Sequence, residues 1–174
     1  TTAGTSKVLS PPLEIGGITV KLRDSAGVER LAPVFYVSPE EVRYQIPPDT
    51  ATGLATVTIC REGATVSSGV LQIRDITPGL FTAQLLPIHR GAPGDQVSLI
   101  VSGTGIRFGN SLSNTIATIG GTYAEVIGVQ PDPDSPGIDR IEVRAPGSLA
   151  GRGEMDILLT VDGQISNPVR IRME

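Results

Sequence analysis

Three aspartates in the segment PDPDSPGID, namely Asp132, Asp134 and Asp139, form an oxygen-rich stretch of the chain. Carboxylate oxygens at alternating positions can bind Ca²⁺, which is held by several oxygen ligands. The prolines restrict this stretch, however, and Val143 stands where an EF-hand would need its bidentate glutamate. We therefore interpret the segment as a solvated Asp-Pro turn and keep a calcium site as the alternative.

The side chains needed for acid–base or nucleophilic catalysis are scattered along the chain. His89 is the only histidine, and Cys60 is the only cysteine, which excludes an intrachain disulfide and predicts a half-buried strand thiol. No GxSxG nucleophile elbow occurs. A glycosidase would need two carboxylates facing each other across a cleft, and solvated faces explain the acidic candidates Glu40, Glu41, Glu142 and Asp156. We predict a protein without catalytic residues or a cofactor.

A glycine-rich segment, GTGIRFG from Gly103 to Gly109, superficially resembles a phosphate-binding loop. Its spacing is GxGxxxG, and no helical pattern follows it, so no helix N-terminus would face a phosphate. The sequence therefore predicts a break or bulge in a strand at this point.

Exposed aromatic rings could bind sugars by stacking, as flat platforms do in carbohydrate-binding modules. The candidates are Tyr36 and Tyr123, and the chain has no tryptophan. Because Phe35 and Tyr36 are adjacent in an expected strand, one ring should point inward and the other outward. We expect most aromatic side chains to pack in the core or at sheet edges.

The elements that position these residues follow from an internal repeat. The stretch Val42–Ile73 is repeated by Ile141–Met173, and the turn glycines Gly63 and Gly163 are 100 residues apart. Each copy has an alternating strand ending at a proline, a small-residue turn, a second alternating strand, an acidic-Gly hairpin turn and a short closing strand. This spacing is typical of tandem β-sandwich domains.

Alternating apolar residues continue through the rest of the chain, and no segment sustains a 3.6-residue period. The sequence predicts two all-β domains, residues 1–78 and 91–174, joined by an apolar junction over residues 79–90. The strand VSLIVSG that opens the second domain has no clear counterpart ahead of GGITVKL in the first. The missing strand could precede this sequence, be replaced by residues 1–10, or come from a neighbouring chain.

The composition excludes several function classes. The net charge is −4 and basic residues are scattered, which argues against nucleic-acid binding. No apolar run reaches membrane-spanning length. Glycine (21) and proline (14) make up about a fifth of the 174 residues, which suits many strands separated by tight turns. The sequence starts at Thr1 and shows no signal-peptide pattern, so we expect a fragment or a processed product whose export signal would lie outside it.

Seven pieces cover nearly the whole chain: LEIGGITVKL, APVFYVSPEEVRYQIPPDTATGLATVTI, SSGVLQI, TPGLFT, GAPGDQVSLIVSGTGI, IEVRAPGSLAGRGEMDILLTVDG and ISNPVRIRM. In this order they resemble an uncharacterised C-terminal domain family of large exported acidobacterial proteins. The resemblance implies tandem immunoglobulin-like sandwiches of the TIG/IPT type and a non-catalytic role outside the cytoplasm, and it transfers no catalytic residues.

We therefore expect a structural or adhesion-type module of an extracellular or cell-surface protein. Its partners would be other domains of the same polypeptide or cell-surface proteins, since exposed strand edges can bind peptides by strand addition. A carbohydrate-binding module that recognises glycans through Tyr36 or Tyr123 is the first alternative. An enzyme with a site between the two domains is the second.

Overall fold

The computed structural model describes residues 11–85 and 97–173, which form fifteen β-strands and two 3-10 turns without an α-helix. The predicted fold class is confirmed: the chain is all-β and consists of two tandem immunoglobulin-like sandwiches. The two compact domains divide between Arg74 and Asp75. Within the described ranges, no helix is long and apolar enough to cross a membrane.

The first domain packs a five-stranded sheet against a two-stranded sheet. Its strands are β1 (Glu14–Ile15), β2 (Ile18–Arg23), β3 (Glu29–Ala32), β4 (Val34–Val37), β5 (Val42–Tyr44), β6 (Gly53–Arg61) and β7 (Ala64–Ile73). In the larger sheet, one edge of β2 pairs with β6, and the other edge pairs first with β1 and then with β3. Strand β7 pairs with the edge of β6 that faces away from β2. Strands β4 and β5 form the smaller sheet.

The second domain encloses a larger core. Its strands are β8 (Gly79–Leu85), β9 (Val97–Thr104), β10 (Thr115–Ile119), β11 (Thr122–Pro131), β12 (Asp139–Ala145), β13 (Gly153–Val161), β14 (Gln164–Ile165) and β15 (Val169–Met173). Strand β11 pairs with β10 as far as Ala124 and with β12 from Glu125, so it passes from one sheet to the other. Strands β15 and β14 pair in turn with the edge of β13 that lies opposite β10, while β9 and β8 extend the sheet beyond β12.

The predicted alternation sets which side chains enter each core. In β12, Ile141, Val143 and Ala145 are buried, whereas Glu142 and Arg144 lie at the surface side of the strand. The same two-residue period buries the apolar residues of β2 and β15. This confirms the inward and outward faces predicted from the sequence, because successive side chains of a strand point to opposite sides of its sheet.

The predicted hairpin turns are also present. Glu62-Gly63 joins β6 to β7, and Asp162-Gly163 joins β13 to β14. All four residues have positive φ angles, with 48° at Glu62 and 47° at Asp162. Two-residue turns of this kind match the right-handed twist of the strands they connect. Gly120-Gly121 forms the predicted hairpin between β10 and β11 in the same way.

The strand pairings show that the internal repeat extends beyond the residues that revealed it in the sequence. Strands β2, β5 and β6 take the places of β10, β12 and β13, and β3 and β4 together take the place of β11. Strand β7 corresponds to β14 and β15, since Gly69 pairs with Val57 as Val169 pairs with Ile157. Among the described residues, β8 and β9 are the strands of the second domain that lack a counterpart in the first.

The structure corrects the predicted domain junction over its described part. Gly79–Leu85 is strand β8, which pairs with β9 and so belongs to the second domain. The Asn167 side chain fixes this strand, because it accepts a hydrogen bond from the Leu80 N–H (2.8 Å) and donates one to the Leu80 carbonyl (2.9 Å). Leu80, Phe81 and Leu85, which contributed to the predicted junction, are therefore strand residues. Residues 1–10, 86–96 and His89 lie outside the described residues.

Candidate functional site

The three aspartates of the candidate calcium loop have different roles. Asp139 is buried, and its Oδ2 accepts hydrogen bonds from the N–H groups of Ile106 (2.9 Å) and Arg107 (3.1 Å). Its Oδ1 lies 3.3 Å from Arg107 Nε, which is close enough for an ion pair, but the two atoms are not aligned for a hydrogen bond. Asp132 instead accepts the Asp134 N–H at 3.0 Å, within a surface turn. The described residues contain no group of three or more His, Cys, Asp or Glu side chains suited to a metal ion.

The glycine-rich segment is a close-packed bend that follows β9. Gly105 has a φ of +68°, and a Cβ atom there would collide with the Thr77 carbonyl oxygen. At Gly103 a Cβ would lie 2.5 Å from the Gly79 carbonyl oxygen. These glycines permit close approach of two backbones, and the predicted strand break is confirmed.

The acidic residues considered for glycosidase chemistry lie in two different domains and at their surfaces. In the first domain Glu41 forms a two-point hydrogen-bonded ion pair with Arg43, at 2.7 and 3.2 Å. This contact holds the pKa of Glu41 below its usual value. In the second domain Asp156 lies 3.4 Å from Arg170 on the neighbouring strand. Exposed pairs of this kind contribute little stability.

Sequence reasoning missed a buried carboxylate in the first domain. Asp24 Oδ1 accepts the Val28 N–H (2.9 Å), while Oδ2 accepts Arg30 Nη1 (2.6 Å) and the Ala51 N–H (3.2 Å). The Ala51 hydrogen bond is the largest influence that lowers the pKa of Asp24, and burial opposes it. The turn sequence Asp24-Ser-Ala-Gly indicates the local contacts, but the Ala51 contact is set by the fold.

The two candidate tyrosines are exposed, with relative exposures of 46% for Tyr36 and 62% for Tyr123. The prediction that Phe35 and Tyr36 would point in opposite directions is wrong, since both rings are exposed. A β-bulge causes this: Val34 pairs with Tyr44 and Tyr36 with Arg43, which leaves Phe35 as an extra residue. The Arg43 guanidinium stacks 5.1 Å from the centre of the Tyr36 ring, so one face of that ring is already covered.

An open groove lies in the first domain between β5 and β7. It has a volume of about 310 Å³. Its lining residues are Tyr44, Val57, Ile59, Ser67, Ser68, Gly69, Val70 and Leu71. Val57, Ile59 and Leu71 also contact the core, and burial raises the pKa of the Tyr44 hydroxyl. The groove is therefore an opening of the apolar interior between the two sheets.

The equivalent positions in the second domain are closed. Ile157 and Leu159, the counterparts of Val57 and Ile59, are fully buried, whereas Ile59 is only half-buried. The core that covers them includes Leu80 of β8 and residues of β9. The groove thus lies where the first domain lacks the counterparts of those two strands among its described residues.

The outer edge of β7 also differs from its counterpart. From Ala64 to Ile73 the strand has no charged residue, and it has a single bulge at Val66. Ser68, Val70 and Gln72 stand where the second domain has Pro168, Arg170 and Arg172. Proline and charge are the usual devices that prevent a sheet edge from pairing with another chain. Edge protection is present in β15 and absent from the corresponding part of β7.

Comparisons with known proteins identify no family for this chain. No family model and no curated protein matches it. Among solved structures, it is similar to a glycosyl hydrolase family 2 member from Bacteroides cellulosilyticus DSM 14838, with 12% identity and a TM-score of 0.27. The match covers 90% of this chain but only 23% of that structure. A similarity of this size carries no argument about activity.

Proposed function

We propose that this chain is a non-enzymatic interaction module of a larger exported protein, with tandem domains of the TIG/IPT type. Its role would be adhesive or structural, binding other domains or cell-surface proteins. The observation that carries the proposal is the uncharged, solvent-exposed edge of β7, where the Val70 side chain is 69% exposed. Among the described strands, none pairs with the outer edge of β7, and an edge of this kind binds peptides through its free backbone groups.

The arrangement of the polar side chains supports the same proposal. The most buried carboxylates of the two domains, Asp24 and Asp139, bind backbone N–H groups and an arginine, so they hold loops in place. The exposed carboxylates Glu41 and Asp156 face arginines. Catalytic acids need instead an environment that leaves them accessible to a substrate.

A carbohydrate-binding module is the second candidate, and exposed Tyr123 is the observation that favours it. Phe108 is more exposed still, at 75%, but the Arg107 guanidinium lies 5.2 Å from its ring centre. A sugar platform needs an open ring face, which Tyr123 offers better than Tyr36 or Phe108.

Two parallel screens test the proposal. The whole chain is exposed to a displayed library of random ten-residue peptides and to a glycan array. The interaction function predicts enrichment of extended peptides with alternating apolar residues. It also predicts that no binding to a glycan depends on Tyr123, so Tyr123→Ala should leave the glycan array unchanged. Retention on glycans that requires Tyr123, without enrichment of any peptide, would replace this function by the carbohydrate-binding one.

A further inference from the structure

We propose that the groove between β5 and β7 binds an extended strand of a partner polypeptide, which pairs with β5 as β9 pairs with β12. This inference rests on the interaction function proposed above, and it specifies the site and the ligand. It follows from a comparison of the two domains, because one chain contains both an occupied and an open version of the same site.

The first step concerns the edge of β5. Strand β12 pairs with β9 along all seven of its residues and with β11, on the other side, along six of them. Its counterpart β5 pairs with β4, and no other described strand lies beside it. Ile46, just after β5, is 37% exposed, whereas its counterpart Ala145 is fully buried. Tyr44 is half-buried where Val143 is fully buried. The open edge therefore exposes apolar residues.

The second step defines the ligand. In the second domain Val97, Leu99 and Val101 of β9 lie opposite the three inward residues of β12. A strand that paired with β5 in the same antiparallel register would direct three alternating apolar side chains towards Tyr44 and the groove floor at Val57. The ligand is thus a peptide of about seven residues with β-branched or leucine side chains at alternate positions.

The third step concerns the source of this strand. Residues 1–10 (TTAGTSKVLS) and 86–96 (LPIHRGAPGDQ) do not contain three alternating apolar residues, and the second includes two prolines. The strand β9 is already paired on both edges, with β8 and β12. No segment of this sequence outside the described strands has the required pattern. We assign the strand to a partner polypeptide, because the open edge of β5 exposes apolar residues that a strand from a partner would cover.

The experiment uses a fluorescent synthetic peptide with the sequence of residues 97–104, extended by lysines for solubility, and the whole 174-residue chain. Fluorescence anisotropy measures the dissociation constant. A control peptide carries V97S, L99S and V101S, which keeps length and backbone but removes the apolar face. We expect saturable binding of the first peptide and at least tenfold weaker binding of the control.

A matched pair of variants locates the site. Gly69 pairs with Val57, so a side chain at position 69 points towards the groove, and a Cβ there meets no atom within 4 Å. Gly69→Lys should therefore fold normally, as circular dichroism would show, and weaken binding at least tenfold. Leu54→Lys adds the same charge at an exposed residue of β6, on the opposite face of the sheet from Val57 and outside the groove lining, and should leave binding within about twofold.

Five results would overturn the inference. Equal binding of both peptides, or binding that Gly69→Lys does not weaken, would exclude the groove. Self-association of the chain in light scattering, abolished by Val70→Lys and competing with the peptide, would make a second copy the occupant. If library peptides bind but Gly69→Lys does not affect them, the site is wrong while the interaction function stands. If no peptide from the library binds, the function itself fails.

Discussion

The substitution Asp139→Ala separates a structural role of this carboxylate from a calcium-binding role. Asp139 accepts two backbone N–H groups, at 2.9 and 3.1 Å, and lies 3.3 Å from Arg107 Nε. A hydrogen bond to a charged group contributes about 1.5–3 kcal/mol, and removing one member of a buried ion pair costs about 3–5 kcal/mol. Because one carboxylate makes all these contacts, their contributions are not additive. We therefore expect a loss of about 3–4 kcal/mol in the unfolding free energy of the second domain.

Hydrogen exchange read by mass spectrometry across a urea series measures this loss, because peptides from each domain report separately on its unfolding. The peptide containing Ile106 and Arg107 should also exchange faster than in the wild type, since its N–H groups lose their acceptor. Asp134→Ala is the matched control, and it should change stability by less than about 0.5 kcal/mol because this residue is exposed.

Calcium supplies the decisive comparison. The structural account predicts that Ca²⁺ leaves the stability of the wild-type chain unchanged, because Asp139 is engaged by backbone donors and an arginine. A loss below about 1 kcal/mol in Asp139→Ala would refute the magnitude argued from the buried contacts. Stabilisation by Ca²⁺ in the wild type that disappears in the variant would refute the structural role and restore the calcium site.

Two further predictions concern backbone geometry and pH. Gly105→Ala should destabilise the second domain by about 2–4 kcal/mol, since the added Cβ collides with the Thr77 carbonyl. Gly121 also has a positive φ but is surrounded by open space, so Gly121→Ala should cost only about 1 kcal/mol. Both are measured by urea denaturation. The folded-state pKa values of Asp24 and Asp162 are lowered from 3.8, so their stabilisation is present above that pH and is lost as the pH falls through the lowered values. Acid titration followed by circular dichroism should show Asp24→Asn destabilised at neutral pH and converging with the wild type below pH 3.8; a constant difference would contradict this assignment.

Much of the fold could be predicted from the sequence because its signals are local. Alternation in the segments around Val20 and Val143 sets the buried faces, and the acidic-Gly pairs at positions 62 and 162 specify two-residue hairpins. The strand β8 was missed because its apolar residues also suit a packed junction. The bulge at Phe35 was missed because a single inserted residue leaves no sequence signal, although the second domain has one at the corresponding position.

The candidate site could be predicted only in outline. The sequence shows no clear counterpart of VSLIVSG in the first domain, and in the described part of that domain β4 is the one strand that pairs with β5. The groove itself depends on which positions of β6 and β7 face the interior and on what covers them, and this requires the register of the strands. The long-range contacts of Asp24 and Asp139 depend on the fold in the same way.

The central claim is that the first domain accepts a strand between β5 and β7. Hydrogen exchange of the whole chain, with and without the peptide of residues 97–104, tests this claim most directly. The account predicts that the peptide slows exchange in the segments containing Val42–Tyr44 and Ala64–Ile73 and leaves the second domain unchanged. Protection confined to the second domain, or none in either segment while the peptide is bound, would contradict it.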